Sequence, residues 1–142
     1  PLSGPLDWEG VLLALRAGNG LELSVQGQSR TIEMEAMQFP SSIAARVTLF
    51  QDIELITVSS QIQGELGLSS ESGALIADIS TELTSRTRLQ MGDVIIQMNR
   101  TRIRSAEDAA SFFDELTGQQ GRIVVYLERD NSYYTTSLSW RG

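Results

Sequence analysis

The chain has 142 residues, of which 41% are apolar and 20% charged, a composition typical of one globular domain or slightly more. It has neither cysteine nor histidine, which excludes disulfides, thiolate or imidazole metal sites and Ser-His-Asp catalysis within these residues. Its net charge of −7 argues against a nucleic acid partner, and no apolar run reaches the roughly 18 to 20 residues of a membrane span.

Two stretches of the chain share one pattern of apolar residues and turns. Residues 1–26 align without a gap onto residues 102–127 at an offset of 101, so that Leu2 corresponds to Ile103. Each copy is predicted to form a helix, a glycine turn and a β-hairpin.

The first copy begins with residues that favour a helix. Pro5 suits the first helical position, and Asp7 favours the positive end of the helix dipole. Residues 21–25 then alternate between apolar and polar side chains, and residues 31–34 do so again. This alternation predicts a β-hairpin.

The segment between the two copies contains several short predicted elements. In chain order these are a linker at 39–44, a β-branched strand at 52–59, a short helix at 61–68, a strand at 73–79 and a polar turn or helical stub at 84–89.

A turn and a short apolar strand follow in "LQMGDVIIQMN". Gly92 permits a backbone turn that a side chain would hinder, and Asp93 can accept hydrogen bonds from local backbone amides. Residues 94–98 are predicted to form a buried strand, and Asn99 begins the next turn. We interpret Gly92 and Asp93 as structural residues of this turn, not as catalytic ones.

The second copy supplies a capped helix. Ser105 is a candidate N-cap, and Asp108 follows three residues later, as in a capping box. Phe112, Phe113 and Leu116 have the spacing of an apolar helical face.

A second hairpin is predicted at the C-terminal end. Its strands lie at 123–127 and 133–140, around a turn at 130–132. The aromatic residues on this hairpin are predicted to be half-buried strand residues and not a binding platform.

The order of elements from residue 53 to residue 138 resembles a bacterial PDZ domain of the kind found in HtrA/Do-type serine proteases. The resemblance covers about two-thirds of the chain. It implies an α+β fold, a partly open antiparallel β-barrel or sandwich capped by two helices. The stretches that carry it are "GALIADI", "LQMGDVIIQMN", "RIRSAEDAASFFDELTG" and "IVVYLERDNSYYTTSL".

The resemblance also implies a domain organisation. Residues 45–142 are expected to form one complete PDZ-like domain, and residues 39–44 a linker. Residues 1–38 resemble the C-terminal half, helix plus β-hairpin, of a preceding PDZ-like domain. HtrA/Do proteases often carry two such domains in tandem.

In this family an extended peptide adds as a strand beside an edge strand, and its side chains contact a helix. The resemblance places the edge strand at 53–56, the helix at 106–116 and the loop for a C-terminal carboxylate at 50–52. The implied peptide-binding residues are Phe50, Gln51, Asp52, Ile53, Glu54, Leu55, Ala109, Ala110 and Phe113.

Two positions depart from the family pattern. Asp52 stands where the family has glycine, and its charge would repel a carboxylate within about 5 Å by roughly a few kcal/mol. Glu54 adds to this field. We therefore expect internal segments, a partner domain or an empty groove in place of a free C-terminus. Arg88 also stands where the family has glycine.

The function implied by the resemblance is that of a non-catalytic, regulatory interaction module of an HtrA/Do-like serine protease. We expect it to bind extended peptides or unfolded protein segments and neighbouring protease or PDZ domains, in the periplasm or another extracytoplasmic compartment of a bacterium. We expect no metal, cofactor, nucleic acid or membrane span. The alternatives are a scaffold or assembly domain with a non-functional carboxylate loop, or the PDZ region of a carboxy-terminal processing or site-2 protease.

The half-domain has a physical consequence of its own. Without its missing strands it would expose an apolar face, and such large patches are rare on monomers. We expect the second domain or another copy of the chain to cover this face, with a homo-oligomer or domain-swapped dimer as one form. The apolar residues concerned are Leu6, Leu12, Leu15, Leu23 and Ile32. The chain begins without methionine, and we interpret it as a piece of a longer protein.

Overall fold

The structure is a computed structural model, and the chain divides in it into two compact units, Pro1–Phe39 and Pro40–Gly142. The residues that the structure describes are 20–24, 31–35, 38–116 and 119–140.

In the first unit, two strands form an antiparallel hairpin. They are β1 (Gly20–Ser24) and β2 (Thr31–Glu35). Ser24 lies opposite Thr31 at the turn end of the hairpin. The predicted hairpin is therefore confirmed. The predicted first helix lies outside the described residues, and so do the side chains of the predicted apolar face.

The second unit combines a seven-stranded antiparallel sheet with four helices among its described residues. Its strands are β3 (Arg46–Leu49), β4 (Ile53–Thr57), β5 (Ala74–Ile79), β6 (Val94–Met98), β7 (Thr101–Arg102), β8 (Gly121–Arg129) and β9 (Ser132–Trp140). Its helices are α1 (Pro40–Ile43), α2 (Ser60–Leu66), α3 (Thr81–Thr87) and α4 (Ala106–Leu116).

The sheet is open, with the hydrogen-bonded order β3-β4-β5-β6-β8-β9 and with β7 paired to β6. The expected α+β class with an antiparallel sheet is therefore confirmed, with more helices than the two expected. No helix in the described ranges has the length and apolarity that crossing a membrane requires.

Three of the helices begin after a serine whose hydroxyl accepts a hydrogen bond from a backbone N–H three residues later. The pairs are Ser59 with Ile62, Ser80 with Leu83 and Ser105 with Asp108, at 3.2, 3.2 and 3.0 Å. Asp108 also accepts from the Arg104 N–H at 2.9 Å. The capping predicted for α4 is confirmed, and α2 occupies most of the predicted helix at 61–68.

Helix α3 begins before the turn or stub that was predicted at 84–89. Its start follows from the Ser80 cap, and its end from Arg88, which is left-handed with a φ of 63°. The Arg88 N–H donates to the Thr84 carbonyl at 2.9 Å. The bounds predicted at 84–89 were wrong because the Ser80 cap was not recognised.

The β8–β9 hairpin is longer and its turn tighter than predicted. Asp130 and Asn131 both have positive φ, 49° and 58°, as in the type I′ turns that suit twisted hairpins. Arg129 lies directly opposite Ser132. The predicted three-residue turn at 130–132 was wrong by one residue, because Ser132 already belongs to β9.

The core of the second unit lies on both faces of the sheet. The larger cluster packs α4 against β3, β4, β5, β6 and β8, and the smaller one lies around Ile62 of α2. Val94, Ile95 and Met98 of β6 are all buried, which confirms the buried strand predicted at 94–98.

Part of the predicted linker at 39–44 is helical. Pro40 opens α1, a position where its missing N–H costs nothing. The Ser41 N–H donates to the Glu65 carboxylate of α2 at 2.8 Å. The boundary between the two units falls between Phe39 and Pro40, so α1 belongs to the second unit.

Candidate functional site

Strand β4 lies inside the sheet and not at its edge. It pairs with β3 on one side and with β5 on the other. The expectation of an edge strand at 53–56 is therefore wrong. Strand β3 runs antiparallel along β4, from Arg46 opposite Ile56 to Leu49 opposite Ile53.

Strand β3 packs against helix α4 while it pairs with β4. Leu49 is buried in the same cluster as Phe113 of α4, and Val47 packs partly buried against that cluster. Arg46 and Thr48 are exposed. This is the alternation of an extended strand with one face against the protein. The groove between β4 and α4 thus holds an extended apolar–polar–apolar segment of the chain itself.

A tight turn joins β3 to β4. Phe50 and Gln51 are both left-handed, with φ of 52° and 62°. The Asp52 N–H donates to the Leu49 carbonyl at 3.0 Å, and the Asp52 carbonyl accepts from the Ser80 N–H at 2.9 Å. The loop at 50–52, which the resemblance assigned to carboxylate binding, is a hairpin turn here, and its Asp52 amide already has an acceptor.

Two predicted site residues meet at the end of this groove. The rings of Phe50 and Phe113 pack edge to face, with centroids 5.2 Å apart and planes at 78°. The Phe112 ring also packs edge to face on Phe113, with centroids 6.2 Å apart. Phe50 is still 60% exposed. An aromatic side chain therefore sits partly in solvent above a buried one, at the point where β3 turns into β4.

The remaining predicted apolar site residues belong to the core. Ile53, Leu55 and Ala109 are buried, and Ala110 packs partly buried against the same cluster. With β3 in place these side chains present almost no surface to an external ligand. They can line a binding groove only where β3 is absent.

Neither of the two charged residues of this region is buried. Asp52 is exposed, and Glu54 of β4 forms an ion pair with Arg46 of β3. Both partners of this pair are more than one-third exposed, with side-chain exposures of 45% for Arg46 and 38% for Glu54. Strand β3 therefore places the Arg46 guanidinium beside Glu54, the one carboxylate of β4.

A hydrogen-bonded joint fixes the start of α4 on the end of β4. The Thr57 hydroxyl donates to the Glu107 carboxylate at 3.0 Å and accepts from the Ala106 N–H at 2.9 Å. The pKa of the Glu107 carboxyl is lowered from 4.5, first by a hydrogen bond from its own backbone N–H and then by the one from Thr57. This joint sets the position of the helix that forms one wall of the groove.

The turn at Gly92 and Asp93 lies away from the groove. Gly92 has a φ of 93°. Asp93 is fully buried, and its carboxylate accepts from the Gln90 N–H at 2.8 Å. The same carboxylate binds the Arg129 guanidinium, which raises the pKa of Arg129. Both residues act here in the packing of the turn.

Sequence reasoning missed two charged residues of β8. Arg129, besides binding Asp93, donates to the Arg88 carbonyl at 3.0 Å. Glu128 is fully buried, and its two oxygens accept from the Ser69 and Ser70 N–H groups at 2.6 and 2.7 Å. No local signal marks these partners, because each lies in a different element of the fold.

No group of three or more acidic, histidine or cysteine residues able to hold a metal ion occurs in the part of the chain that the structure describes. The chain matches no model of a known protein family, and a search of the curated proteins finds no significant match.

Proposed function

We propose that the Pro40–Gly142 unit is a PDZ-like, non-catalytic interaction module that binds an extended protein segment by β-strand addition in the groove between β4 and α4. The observation that carries this proposal is strand β3. It already makes the interaction in question: it lies antiparallel on β4 and directs Val47 and Leu49 toward α4. A groove that accepts one such segment has the backbone and side-chain chemistry to accept another.

The ligand in this proposal is an internal segment of a protein chain and not a free C-terminus. While β3 is docked, the Asp52 amide is bonded within the turn, and whether or not β3 is docked the Asp52 carboxylate stands beside that amide. A terminal carboxylate would meet repulsion there. An internal segment continues past this point and places no charge on it.

The parent context follows from the resemblance alone. The module would serve as a regulatory region of an HtrA/Do-like serine protease in a bacterial extracytoplasmic compartment, with a preceding half-domain in residues 1–38. Its partners would be extended peptides, unfolded protein segments and neighbouring protease or PDZ domains, or a second copy in a homo-oligomer or domain-swapped dimer. The pattern of helix, turn and hairpin that the two copies share in the sequence supports this organisation.

A second candidate is a scaffold or assembly domain whose groove takes no external ligand. The same strand favours it, since β3 already fills the groove. The two candidate functions differ in one property, which is whether a segment supplied in solution can displace β3 from the groove.

The test is a titration of the isotope-labelled full chain with the octapeptide AARVTLFQ, the sequence of residues 44–51, acetylated and amidated. A second form carries a free carboxylate, and a control peptide has serine in place of its valine and leucine. We expect the amidated octapeptide to bind at least as tightly as the free-carboxylate form and to shift the amide signals of Leu55, Ala109 and Ala110, while the serine peptide does not bind. Binding of the free-carboxylate form alone contradicts internal-segment recognition. Signal changes that leave β3, β4 and α4 unaffected contradict the site.

A further inference from the structure

We infer that Arg46–Leu49 is a displaceable internal ligand: it blocks the β4–α4 groove until an external segment of the same pattern, basic–apolar–polar–apolar, replaces it. This inference rests on the proposed function and adds to it both a regulation and a ligand class. Three features of the structure support it, and each concerns how β3 is held.

The first feature is the turn that returns the chain from β3 to β4. It is built like a type I′ turn, with positive φ at both central positions. Asn-Gly is the usual pair at these positions, because other side chains clash with the backbone there. This chain has Phe50 and Gln51 instead. The turn therefore opposes the docked position of β3, and packing of the strand has to offset that strain.

The second feature is the small amount of packing that β3 provides. The strand has four residues, and only Leu49 among them is buried. The ion pair between Arg46 and Glu54 is exposed on both sides, and pairs of this kind add little stability. By comparison, β8 and β9 pair over nine residues. A short, thinly packed edge strand belongs to the parts of a protein that open most readily.

The third feature is what release of β3 would uncover. Leu55 and Ala109 are fully buried, and Phe113 is 7% exposed. All three belong to the cluster that Leu49 joins. Departure of β3 would leave an apolar channel with the free backbone edge of β4 along one side. An extended segment restores both the hydrogen bonds and the burial.

The chemistry of β3 specifies the ligand. Arg46 pairs with Glu54, so the ligand carries a cation at that position. Two apolar residues follow at alternate positions, as Val47 and Leu49 do. The chain continues beyond Leu49 through a peptide bond, so the ligand needs no terminal carboxylate. The class is an internal, positively charged and apolar segment in extended form.

Competition within the chain makes the apparent affinity depend on the fraction of molecules whose groove is open. When the binding-competent state is only partly populated, the apparent dissociation constant rises by the inverse of that fraction. Val47→Ser weakens the docked strand and is expected to tighten binding of the octapeptide by about tenfold. Gln51→Gly relieves the strain in the turn, stabilises the docked strand, and is expected to weaken binding of the octapeptide by about tenfold. Thr48→Ala changes an exposed side chain and serves as the control.

A reversible disulfide between β3 and β4 tests the same inference without weakening the fold. Thr48 and Glu54 lie directly opposite each other, and such pairs have Cα atoms about 4.5 to 5.5 Å apart, within the range of a disulfide. The chain has no cysteine of its own. In the Thr48→Cys/Glu54→Cys chain, oxidised with glutathione disulfide, we expect binding of the acetylated and amidated octapeptide to be lost. Reduction with dithiothreitol should restore binding to the affinity of the Glu54→Cys chain, which lacks only the exposed partner of the ligand's cation.

A second engineered disulfide, between β8 and β9, controls for the effects of oxidation and reduction themselves. Arg122 and Ser139 lie opposite each other in β8 and β9, and both are exposed. The Arg122→Cys/Ser139→Cys chain should bind the octapeptide equally well in its oxidised and reduced forms. If the oxidised Thr48→Cys/Glu54→Cys chain binds as well as the reduced one, β3 is not the competitor, although the groove still binds peptide. If no form of any variant binds, the proposed function itself is wrong.

Discussion

Arg129 and Asp93, 36 residues apart in the sequence, form a two-pronged ion pair in which Nε lies 2.6 Å from Oδ1 and Nη2 lies 2.8 Å from Oδ2. Asp93 is fully buried, whereas Arg129 keeps 26% of its side chain exposed and stacks over the Tyr134 ring at 5.6 Å. The pair ties the turn before β6 to the end of β8. Strand β6 also pairs directly with β8, so the ion pair adds a side-chain link to a backbone one.

Replacement of Asp93 should strongly destabilise the second unit. Asp93→Ala removes the carboxylate that accepts from both the Arg129 guanidinium and the Gln90 N–H, and loss of hydrogen bonds to a charged group costs about 1.5 to 3 kcal/mol in the free energy of unfolding. Urea unfolding followed by circular dichroism measures this change. Arg86→Ala is the control, since its pair with Glu82 is exposed and should contribute under about 0.5 kcal/mol. Equal changes in both variants would contradict the role of Asp93.

The buried carboxylate of Glu128 should be sensitive to loss of one oxygen. Glu128→Gln keeps the shape of the side chain but turns an NH2 group toward the Ser69 or Ser70 N–H. An unsatisfied buried donor costs about 1 to 3 kcal/mol. We expect a lower urea midpoint and faster amide hydrogen exchange at these two serines. Glu71→Gln, in the exposed part of the same loop, should leave both quantities unchanged. If amide exchange at Ser69 and Ser70 stays slow in Glu128→Gln, the Glu128 carboxylate does not hold these two N–H groups.

Two glycines should respond to alanine in opposite directions. A Cβ on Gly73 would lie 2.7 Å from Val94 Cγ1 and 2.8 Å from the Ile95 carbonyl oxygen, at a φ of 150°. Overpacking of this kind costs about 1 to 3 kcal/mol. Gly64 lies inside α2 with nothing within 4 Å of a Cβ, so Gly64→Ala should stabilise by about 0.5 to 1 kcal/mol. Thermal unfolding of both variants shows whether each substitution raises or lowers the stability. A gain in stability for Gly73→Ala would refute the close approach of Gly73 to Val94 and Ile95.

The joint between β4 and α4 predicts a pH dependence. The pKa of Glu107 is lowered from 4.5 in the folded protein. A lowered carboxyl pKa contributes stability that is present above pH 4.5 and is lost as the pH falls through the folded value. Thr57→Val removes one of the hydrogen bonds to the carboxylate, so the pKa of Glu107 should move part of the way back.

Side-chain carbon shifts of Glu107, followed over acidic pH in the parent chain and in Thr57→Val, measure this difference directly. The residual lowering of the pKa in the variant reports the remaining hydrogen bonds, first the one from the backbone of Glu107 itself and then the one from Ser105. A Glu107 pKa that does not change on replacement of Thr57 would show that the hydroxyl does not hold the carboxylate in solution.

Sequence patterns located most elements of the second unit because their causes are local. Ser105 caps α4 through a bond to a residue three positions away. The alternating and β-branched runs became β4, β5 and β6 within one or two residues of the predicted bounds. The misplaced start of α3 has the same local character, since the Ser80 cap is visible in the sequence once it is looked for.

The neighbours of each strand could not be predicted in this way. Strand β3 was not predicted as an element at all, because four residues containing Arg46 and Thr48 carry little apolar periodicity. Its place on β4 depends on burial of Leu49 against Phe113, which is distant in the sequence. For the candidate site this matters most, since the strand taken for an open edge is the one that β3 covers.

The sequence by itself determined the α+β class, the capped helix, the turn at Gly92 and the lack of thiol and imidazole chemistry, because propensities, caps and composition act over a few residues. The tertiary structure alone decided which strand occupies the groove and which buried charges pair. Those outcomes depend on desolvation and on contacts between residues tens of positions apart, such as Asp93 and Arg129, and no local pattern records that a distant partner will be present.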